Sequence, residues 1–528
     1  GYLGYQIRAL AGDDQPIELT SQAFERANYG SIVYGKTAVF TRFLQHYLGE
    51  ETMNRVMTDY YENWKFKHPS PDDFKSAFLR NVDEDLSWYF DDVITGTRVV
   101  DYAVVSLKNG EATVANRGSL VSPVELAFYG PKGEELERRW IPGFMGEKSV
   151  PVPRNTHRVV IDPDNYMPDI RRSNNSTSKP LKVNFVFDQP TFHNLEVNLM
   201  PWIGWNMYNG TTPGLVAYSG FLPGYLWGFS VSPQWDFQHN RPAGAVSARR
   251  IFTRALGFRS LTLTGAAADY SGRQGVKLGV EGVLRKGVVS TPVVRVNGAV
   301  FFHRIRPDAV DTTFYDSGEH RVVSLGYSYG HRPNPFRNYS AEGGVVAGFR
   351  GGGFARIHLE GELRWRYSKK LATDVRAWIG GFVLRNTVPA QYRIWMSGGV
   401  DPDFEDRWVF NRTKNPEGPF NVYREQFIPF GPSLRGYTAA FSTATAWGLN
   451  VDQTLPFVPG GLFADVGGAT DLEEVFVDGG LKISAGFLSL YVPLYQSWDT
   501  PSHATDLKWL RSRIRFEISL GLGSIVIG

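Results

Sequence analysis

Two periodicities divide the chain. From Gly1 to about Val100 apolar residues recur at helical spacing, as in Val39, Phe40, Phe43, Leu44 and Tyr47, a set that one face of a helix would bury. Ser70-Pro71-Asp72-Asp73-Phe74 supplies an N-cap, a proline at the first helical position and acids in the first turn. Between about Asp101 and Asn175 short β-like runs, such as Tyr102 to Leu107, Val124 to Tyr129 and Arg158 to Ile161, alternate with turn signals at Asn109-Gly110 and Pro131-Lys132-Gly133. This pattern predicts a compact β-sandwich. The polar stretch Arg171 to Lys179, containing Ser173-Asn174-Asn175-Ser176-Thr177-Ser178, reads as a linker.

Beyond about Lys182 strict alternation takes over. In Phe354 to Tyr367 one face carries Arg356, His358, Glu360, Glu362, Arg364 and Arg366, and the other carries Ala355, Ile357, Leu359, Leu363, Trp365 and Tyr367. A row of ionisable groups opposite an apolar row with aromatic ends suits a strand with water on one side and lipid on the other. Trp227, Phe229, Val231, Pro233, Trp235 and Phe237 repeat the pattern, as do Ile514, Phe516, Ile518, Leu520 and Leu522 against Arg513, Arg515, Glu517 and Ser519. About sixteen such runs begin near Val197, Leu215, Phe229, Val246, Leu261, Val276, Val294, Val323, Glu342, Ala355, Val375, Thr443, Leu462, Leu481, Ser489 and Ile514, a spacing of roughly 20 residues per strand with its turn, which accommodates the ~9 to 11 residues that a tilted membrane strand needs.

Composition agrees. The 528 residues hold 56 Gly, 14 Trp, 25 Tyr and 35 Phe, and a membrane barrel uses glycine at bends and aromatics at both interfaces while alternation keeps mean hydropathy low, here -0.26. No apolar run is long enough for a transmembrane helix. With 56 Lys+Arg against 53 Asp+Glu, a net of +3, there is no basic stripe for nucleic acid. Zero cysteine excludes disulfide scaffolds and thiolate metal sites.

Met396-Ser397-Gly398-Gly399, followed after an insertion by Ser433-Leu434-Arg435-Gly436-Tyr437, resembles the Gly-Gly…Arg-Gly-Tyr/Phe signature of the Omp85 superfamily of outer-membrane barrels. Leu462-Phe463-Ala464-Asp465-Val466-Gly467 resembles its Asp-x-Gly strand, Leu490-Tyr491-Val492-Pro493-Leu494 its penultimate strand, and Val197 to Asn206 its first. The resemblance implies a sixteen-stranded barrel whose Arg-Gly-Tyr loop, Arg435, Gly436 and Tyr437, lies between the eleventh and twelfth strands. It also implies that Arg435 makes a lumenal ion pair, with Asp465 as candidate partner. The insertion Asp401 to Phe430, with Pro402, Pro416, Pro419 and Pro429, is wider than the family usually has and reads as a long extracellular loop.

In the helical zone, Tyr29-Gly30-Ser31-Ile32-Val33-Tyr34-Gly35-Lys36 and the helix to Leu48-Gly49 resemble the region after the zinc site of M1-family aminopeptidases (gluzincins), although Thr37 stands where that family usually has Gly. Asp73-Phe74 and Ser87-Trp88-Tyr89-Phe90 extend the likeness, and the sandwich segments Ile161 to Asn165 and Arg172 to Asn175 resemble the module that follows in bacterial relatives. The resemblance implies that Tyr34 donates a hydrogen bond to a developing oxyanion and that Tyr29 lies near the substrate pocket. A His-Glu-x-x-His helix is absent from these residues, and the ten His are scattered, none four residues from another. His358 with Glu360 is a metal pair only superficially, because on a strand both belong to a charged lumenal face. No metal ligand is therefore assigned, no cofactor is expected within the chain, and zinc is expected in a part upstream of Gly1.

The expected fold is mainly β: an approximately sixteen-stranded transmembrane β-barrel over residues 181–528, preceded by a small α-helical segment at 1–100 and a β-sandwich at 101–180. The leading functional expectation is the C-terminal part of an M1-like zinc metallopeptidase anchored in the bacterial outer membrane by its barrel. The alternative is an Omp85-type barrel for protein insertion or translocation carrying a non-catalytic peptidase-like domain, although no POTRA-like repeats are visible. Expected partners are outer-membrane lipid and a peptide or unfolded polypeptide, with no nucleic acid; any partner lipoprotein is unknown.

Overall fold

The computed structural model describes residues 2–25, 28–178, 181–185, 194–206, 208–219, 226–253, 255–285, 292–310, 312–334, 336–398, 425–456, 459–498 and 512–518. Gly399, the segment 401–424, His193, His503, Ser519, Leu520 and Leu522 lie outside these residues. The chain divides into two compact units, one formed chiefly by its first 199 residues and the other by most of the rest.

The first unit opens with helix α1 (Tyr2–Leu10). A π-helical stretch, Tyr29–Lys36, runs into α2 (Thr37–Leu48), followed by α3 (Glu50–Trp64), α4 (Pro71–Asn81) and a second π-helical stretch, Trp88–Ile94. The apolar stripe of α2 behaves as its spacing requires, with Phe40, Phe43 and Leu44 buried. Ser70 caps α4 reciprocally: its hydroxyl accepts from the Asp73 N–H and the Asp73 carboxylate accepts from the Ser70 N–H at 2.8 Å. Six strands follow: β1 (Tyr102–Lys108), β2 (Glu111–Asn116), β3 (Val124–Tyr129), β4 (Glu135–Ile141), β5 (Gly146–Pro151) and β6 (Arg158–Ile161). They form two three-stranded sheets, ordered β1-β2-β5 and β4-β3-β6. Asn109 and Gly110 both take positive φ between β1 and β2, as a two-residue hairpin turn requires.

The linker expected at Arg171 to Lys179 is corrected by the structure: its described part is folded into the sandwich. Arg172, Asn174 and Asn175 are buried, the Asn174 amide donates to Asp101 Oδ1 at 2.8 Å, and the Arg171 guanidinium donates to Asp101 Oδ2, its Nε at 2.7 Å. The polarity that suggests a solvated tether instead serves buried carboxylates, since Asp101, Asp162 and Asp169 are each at most 2 % exposed. Asp162 accepts from the Tyr166 and Met167 N–H groups at 2.8 and 3.0 Å, yet burial pushes its carboxyl up to about 7, with Arg172 opposing. Asp169 is likewise raised, by burial first and then by Asp101.

The sign of this linkage is definite. A folded-state carboxyl raised above its unfolded value of 3.8 holds a proton that the unfolded chain has released. Its contribution is complete below that value and is lost as pH rises towards about 7. The calorimetric transition of the helical and sandwich unit, followed in the detergent-solubilised chain, is therefore expected to gain less on acidification from pH 7 to pH 5 in Asp162→Asn than in wild type. Identical pH profiles for the two proteins would refute the assignment.

The second sheet system contains β7 (Leu181–Phe185), β8 (Leu195–Asn206), β9 (Gly210–Ser219), β10 (Trp227–Asp236), β11 (Arg241–Thr253), β12 (Ser260–Tyr270), β13 (Arg273–Arg285), β14 (Val293–Ile305) and β15 (Gly318–Asn334). It continues with β16 (Arg337–Gly348), β17 (Phe354–Arg366) and β18 (Ala372–Arg385). After a two-stranded pair, β19 (Ile394–Trp395) and β20 (Phe441–Ser442), come β21 (Thr445–Thr454), β22 (Gly460–Ala469), β23 (Phe476–Ala485), β24 (Leu488–Gln496) and β25 (Arg515–Ile518). Apart from β19 and β20, these strands close into a barrel in sequence order.

Among the described residues the closed order contains seventeen strands, in keeping with the expected barrel of about sixteen. The sixteen alternating runs fall on or beside sixteen of these strands, several of which begin about five residues earlier than the alternation, as β9, β11, β15, β16 and β23 do, and the additional strand is β7, which pairs parallel with β8. Five residues are too few to display period two, and a parallel neighbour leaves no hairpin signal between the strands. Strands β14, β18 and β24 finish at one end of the barrel, from which the long connections leave, and the tight turns 367–371 and 486–487 join strands at the other.

Candidate functional site

Away from the strand ends the outer face of the barrel is apolar, as the alternation requires. On β17 Ile357, Leu359 and Trp365 are exposed while Arg356 is buried on the opposite face. Register carries this face around the wall: Leu359 lies across from Ile379, which lies across from Trp447. Exposed aromatics mark both ends of the strands, with Trp227 and Trp365 towards the tight turns and Trp235 and Trp447 towards the long connections. A closed sheet, so without edges, presenting apolar side chains outward and charges inward is the arrangement that a bilayer permits.

The inner face holds the candidate site. Between β18 and β21, the eleventh and twelfth of the alternating strands, the chain folds back so that Gly431 to Gly436 lies against the inner wall. Arg435 is 4 % exposed. Its Nε donates to both Asp465 oxygens at 3.1 and 2.9 Å, its Nη2 to Oδ1 at 2.5 Å, and its backbone N–H to Oδ2 at 2.8 Å. Nη1 also pairs with Asp452, whose other oxygen takes Lys482 Nζ at 3.1 Å. The guanidinium lies over the Phe463 ring, 4.4 Å from its centroid. A planar five-donor fork suits this bidentate, stacked position, whereas a lysine ammonium would not.

The wall also binds the backbone of this segment. Asn450 donates its amide to the Pro432 and Ser433 carbonyls at 3.2 and 3.0 Å and to Asp465 at 2.9 Å. Arg376, paired with Glu360 at 2.5 and 2.7 Å, donates to the Gly431 carbonyl at 3.0 Å. Arg515 of β25 donates to the carbonyls of Ser397, Leu434 and Arg435 at 3.1 to 3.3 Å and to that of Gln426 at 3.4 Å. The Phe427 N–H donates to the Phe516 carbonyl at 2.7 Å. Buried carbonyls cost free energy unless they accept a hydrogen bond, so these side chains specify the course of the segment.

Gly436 is required by space: a Cβ there would lie 2.5 Å from Gln496 Nε2 and 2.9 Å from the Trp498 ring. Gly448 is the counterpart on the wall, where a Cβ would come 2.5 Å from the Pro432 backbone. The Tyr437 carbonyl accepts from Trp498 Nε1 at 3.1 Å, and its ring lies beneath Arg515, 5.9 Å from the guanidinium. Beside the segment remains a charged lumenal pocket of about 430 Å³, lined in part by Glu342, Glu362, Arg364 and Asp374. His358 stacks on Trp378 there, and Glu360 is occupied by Arg376.

Arg435, Gly436, Tyr437 and Asp465 thus converge. Sequence reasoning missed Asp452, Asn450, Arg376 and Arg515. Each is one polar residue in an alternating row, and no local feature separates it from its neighbours; for Arg515, only its place on the last strand beside the loop distinguishes it.

Tyr29 and Tyr34 belong to the other unit. Tyr34 is 66 % exposed and Tyr29 39 %, their rings meeting edge to face at 6.1 Å. The residue that fixes this π-helical stretch is Lys36, whose buried ammonium donates to Asp14 at 3.3 Å and to the Gly96 carbonyl at 2.8 Å. Burial pulls the Lys36 ammonium below its usual range, with Asp14 opposing. Among the described residues no group of three or more His, Asp and Glu is disposed to hold a metal ion.

No family model matches the sequence, and no curated protein matches it. Among solved structures, BamA from Haemophilus ducreyi lacking POTRA domains 1-3 is similar at 11 % identity over 62 % of this chain and 72 % of that one, with a TM-score of 0.32. CdiB from Escherichia coli is similar at 13 % identity over 58 % and 60 %, with a TM-score of 0.26. A KdgM porin in complex with disordered oligogalacturonate shares 14 % identity over 33 % and 86 %, with a TM-score of 0.19. The metallopeptidase resemblance gains no support from these likenesses. The barrel's own two faces carry the conclusion: this chain is an outer-membrane β-barrel protein with a small helical and β-sandwich unit ahead of the barrel.

Proposed function

We propose that the barrel is of the Omp85 type and inserts or translocates polypeptide, in place of the membrane-anchored aminopeptidase that the helical zone first suggested. The observation that carries this reading is the lumenal segment Gly431 to Gly436, held by Arg435 on Asp465 and Asp452 and tied to the last strand by Arg515. A segment of the chain latched by charge along the inner wall narrows the bore, which an unobstructed diffusion channel keeps water-filled. The latch consists of reversible hydrogen bonds and ion pairs, so a polypeptide entering the bore competes for the same donors and acceptors. No peptidase chemistry is included in this reading.

Reconstitution distinguishes the two uses of a barrel. In phospholipid vesicles the full chain is expected to accelerate membrane insertion of a urea-unfolded β-barrel polypeptide while showing little steady conductance. Arg515→Met is expected to raise conductance by loosening the loop. A large, steady ohmic conductance in the wild type, with no effect on polypeptide insertion, would overturn the proposal in favour of a passive pore.

A further inference from the structure

We propose that the outer face of the barrel, near the end with the long connections, binds the phosphate group of a membrane lipid. Register defines the site. Val276 lies across from Phe302 and Phe302 across from Arg321, while Gln274 lies across from Arg304 and Arg304 across from Glu319. Val276 and Phe302 are exposed on the apolar outer face, so both arginines emerge from that face. Arg304 is the penultimate residue of β14 and Arg321 the fourth of β15. Both therefore stand within about 10 Å of the strand ends, at ~3.3 Å per residue, the level at which a bilayer's head groups lie.

Two further observations point to a ligand. A groove of about 820 Å³ runs beside the arginines, floored by small and apolar residues that include Pro233, Gly244, Ala267 and Val276. Its size is that of a small-molecule site. Arg304 and Arg321 are exposed, and neither side chain has an ion pair or hydrogen bond among the described residues. The neighbouring acid Asp269 is already served by Gln274 at 2.8 Å and Arg241 at 3.4 Å. Glu319 lies across from Arg304 and two residues from Arg321 on β15, and one carboxylate against two guanidinium groups leaves the trio net cationic. Unpaired guanidinium groups at the edge of an apolar groove and at head-group depth are complementary to a lipid that lays acyl chains in the groove and places its phosphate between the forks. The bilayer supplies such an occupant on this face.

The test uses the full chain in neutral detergent, with native mass spectrometry reading the lipid that it retains. The probes are bisphosphorylated lipid A, the same glycolipid with its phosphates removed, and inorganic phosphate. Occupancy by the phosphorylated form is expected to exceed that of the dephosphorylated form by about tenfold or more, because each arginine near an anionic surface contributes about fivefold. Arg304→Gln with Arg321→Gln should remove that preference, and Arg250→Gln with Arg337→Gln, on the same face towards the other end, should keep it. Ala267→Trp, which fills the groove and leaves both arginines, should also lower occupancy. Heat-modifiable mobility reports that each variant is folded. Equal retention of both lipid forms by the wild type, unchanged preference in the Arg304/Arg321 variant, equal loss in the Arg250/Arg337 variant, or displacement of the lipid by millimolar inorganic phosphate would each overturn the proposal.

Discussion

Arg435→Ala is expected to destabilise the barrel by about 3–5 kcal/mol, the cost of leaving a buried carboxylate without its partner. Asp465 is 2 % exposed and takes four hydrogen bonds from Arg435 and one from Asn450. Removing the guanidinium therefore leaves a buried charge with only the residue-435 N–H and the Asn450 amide to serve it. Arg435→Lys should recover little, because one ammonium cannot make the bidentate contact and also reach Asp452. Pairing Arg435→Ala with Asp465→Ala should cost less than the two single losses together, since the double variant no longer buries an unpaired ion. Unfolding midpoints and heat-modifiable mobility of the variants in lipid vesicles measure this. A single alanine variant with the wild-type midpoint would show that the lumenal pair does not hold the loop.

Leu359→Arg should be the most damaging change on the outer wall. Leu359 lies in the middle of β17 and is 60 % exposed. On a water-soluble sheet a substitution there would stay within about 0.5 kcal/mol. At the midplane of a bilayer, arginine costs about 2–4 kcal/mol. Folding yield and unfolding free energy in phospholipid vesicles separate the two cases, with Gln274→Arg, near the strand ends, as the comparison. Equal, small effects at both positions would contradict a membrane-spanning β17.

Much of this architecture was legible because side-chain direction on a strand repeats every two residues, and a membrane barrel imposes that repeat on nearly every strand. Arg356 to Arg366 against Ile357 to Tyr367 could be assigned to opposite faces without coordinates. The same repeat located sixteen of the seventeen strands, and the Arg-Gly-Tyr motif placed Arg435 between the eleventh and twelfth. Strand β7 escaped because five residues in parallel pairing leave neither alternation nor a turn. The described part of Arg171 to Lys179 is not the tether that its polarity predicts, because polarity signals solvent only where no buried charge needs donors, and here Asp101 does.

The sequence by itself determined which residues face lipid and which face the lumen, since that follows from period alone. It also marked Ser70 as a helix cap, because capping is settled within four residues. Only the tertiary structure decided which lumenal groups meet. Asp452, Asn450, Arg376 and Arg515 come to one loop through the register of β18, β21 and β25 and through the path of the chain between them, over separations of up to 118 residues. Hydrogen bonds act over about 3 Å, so a partner so distant in sequence is chosen by closure of the sheet.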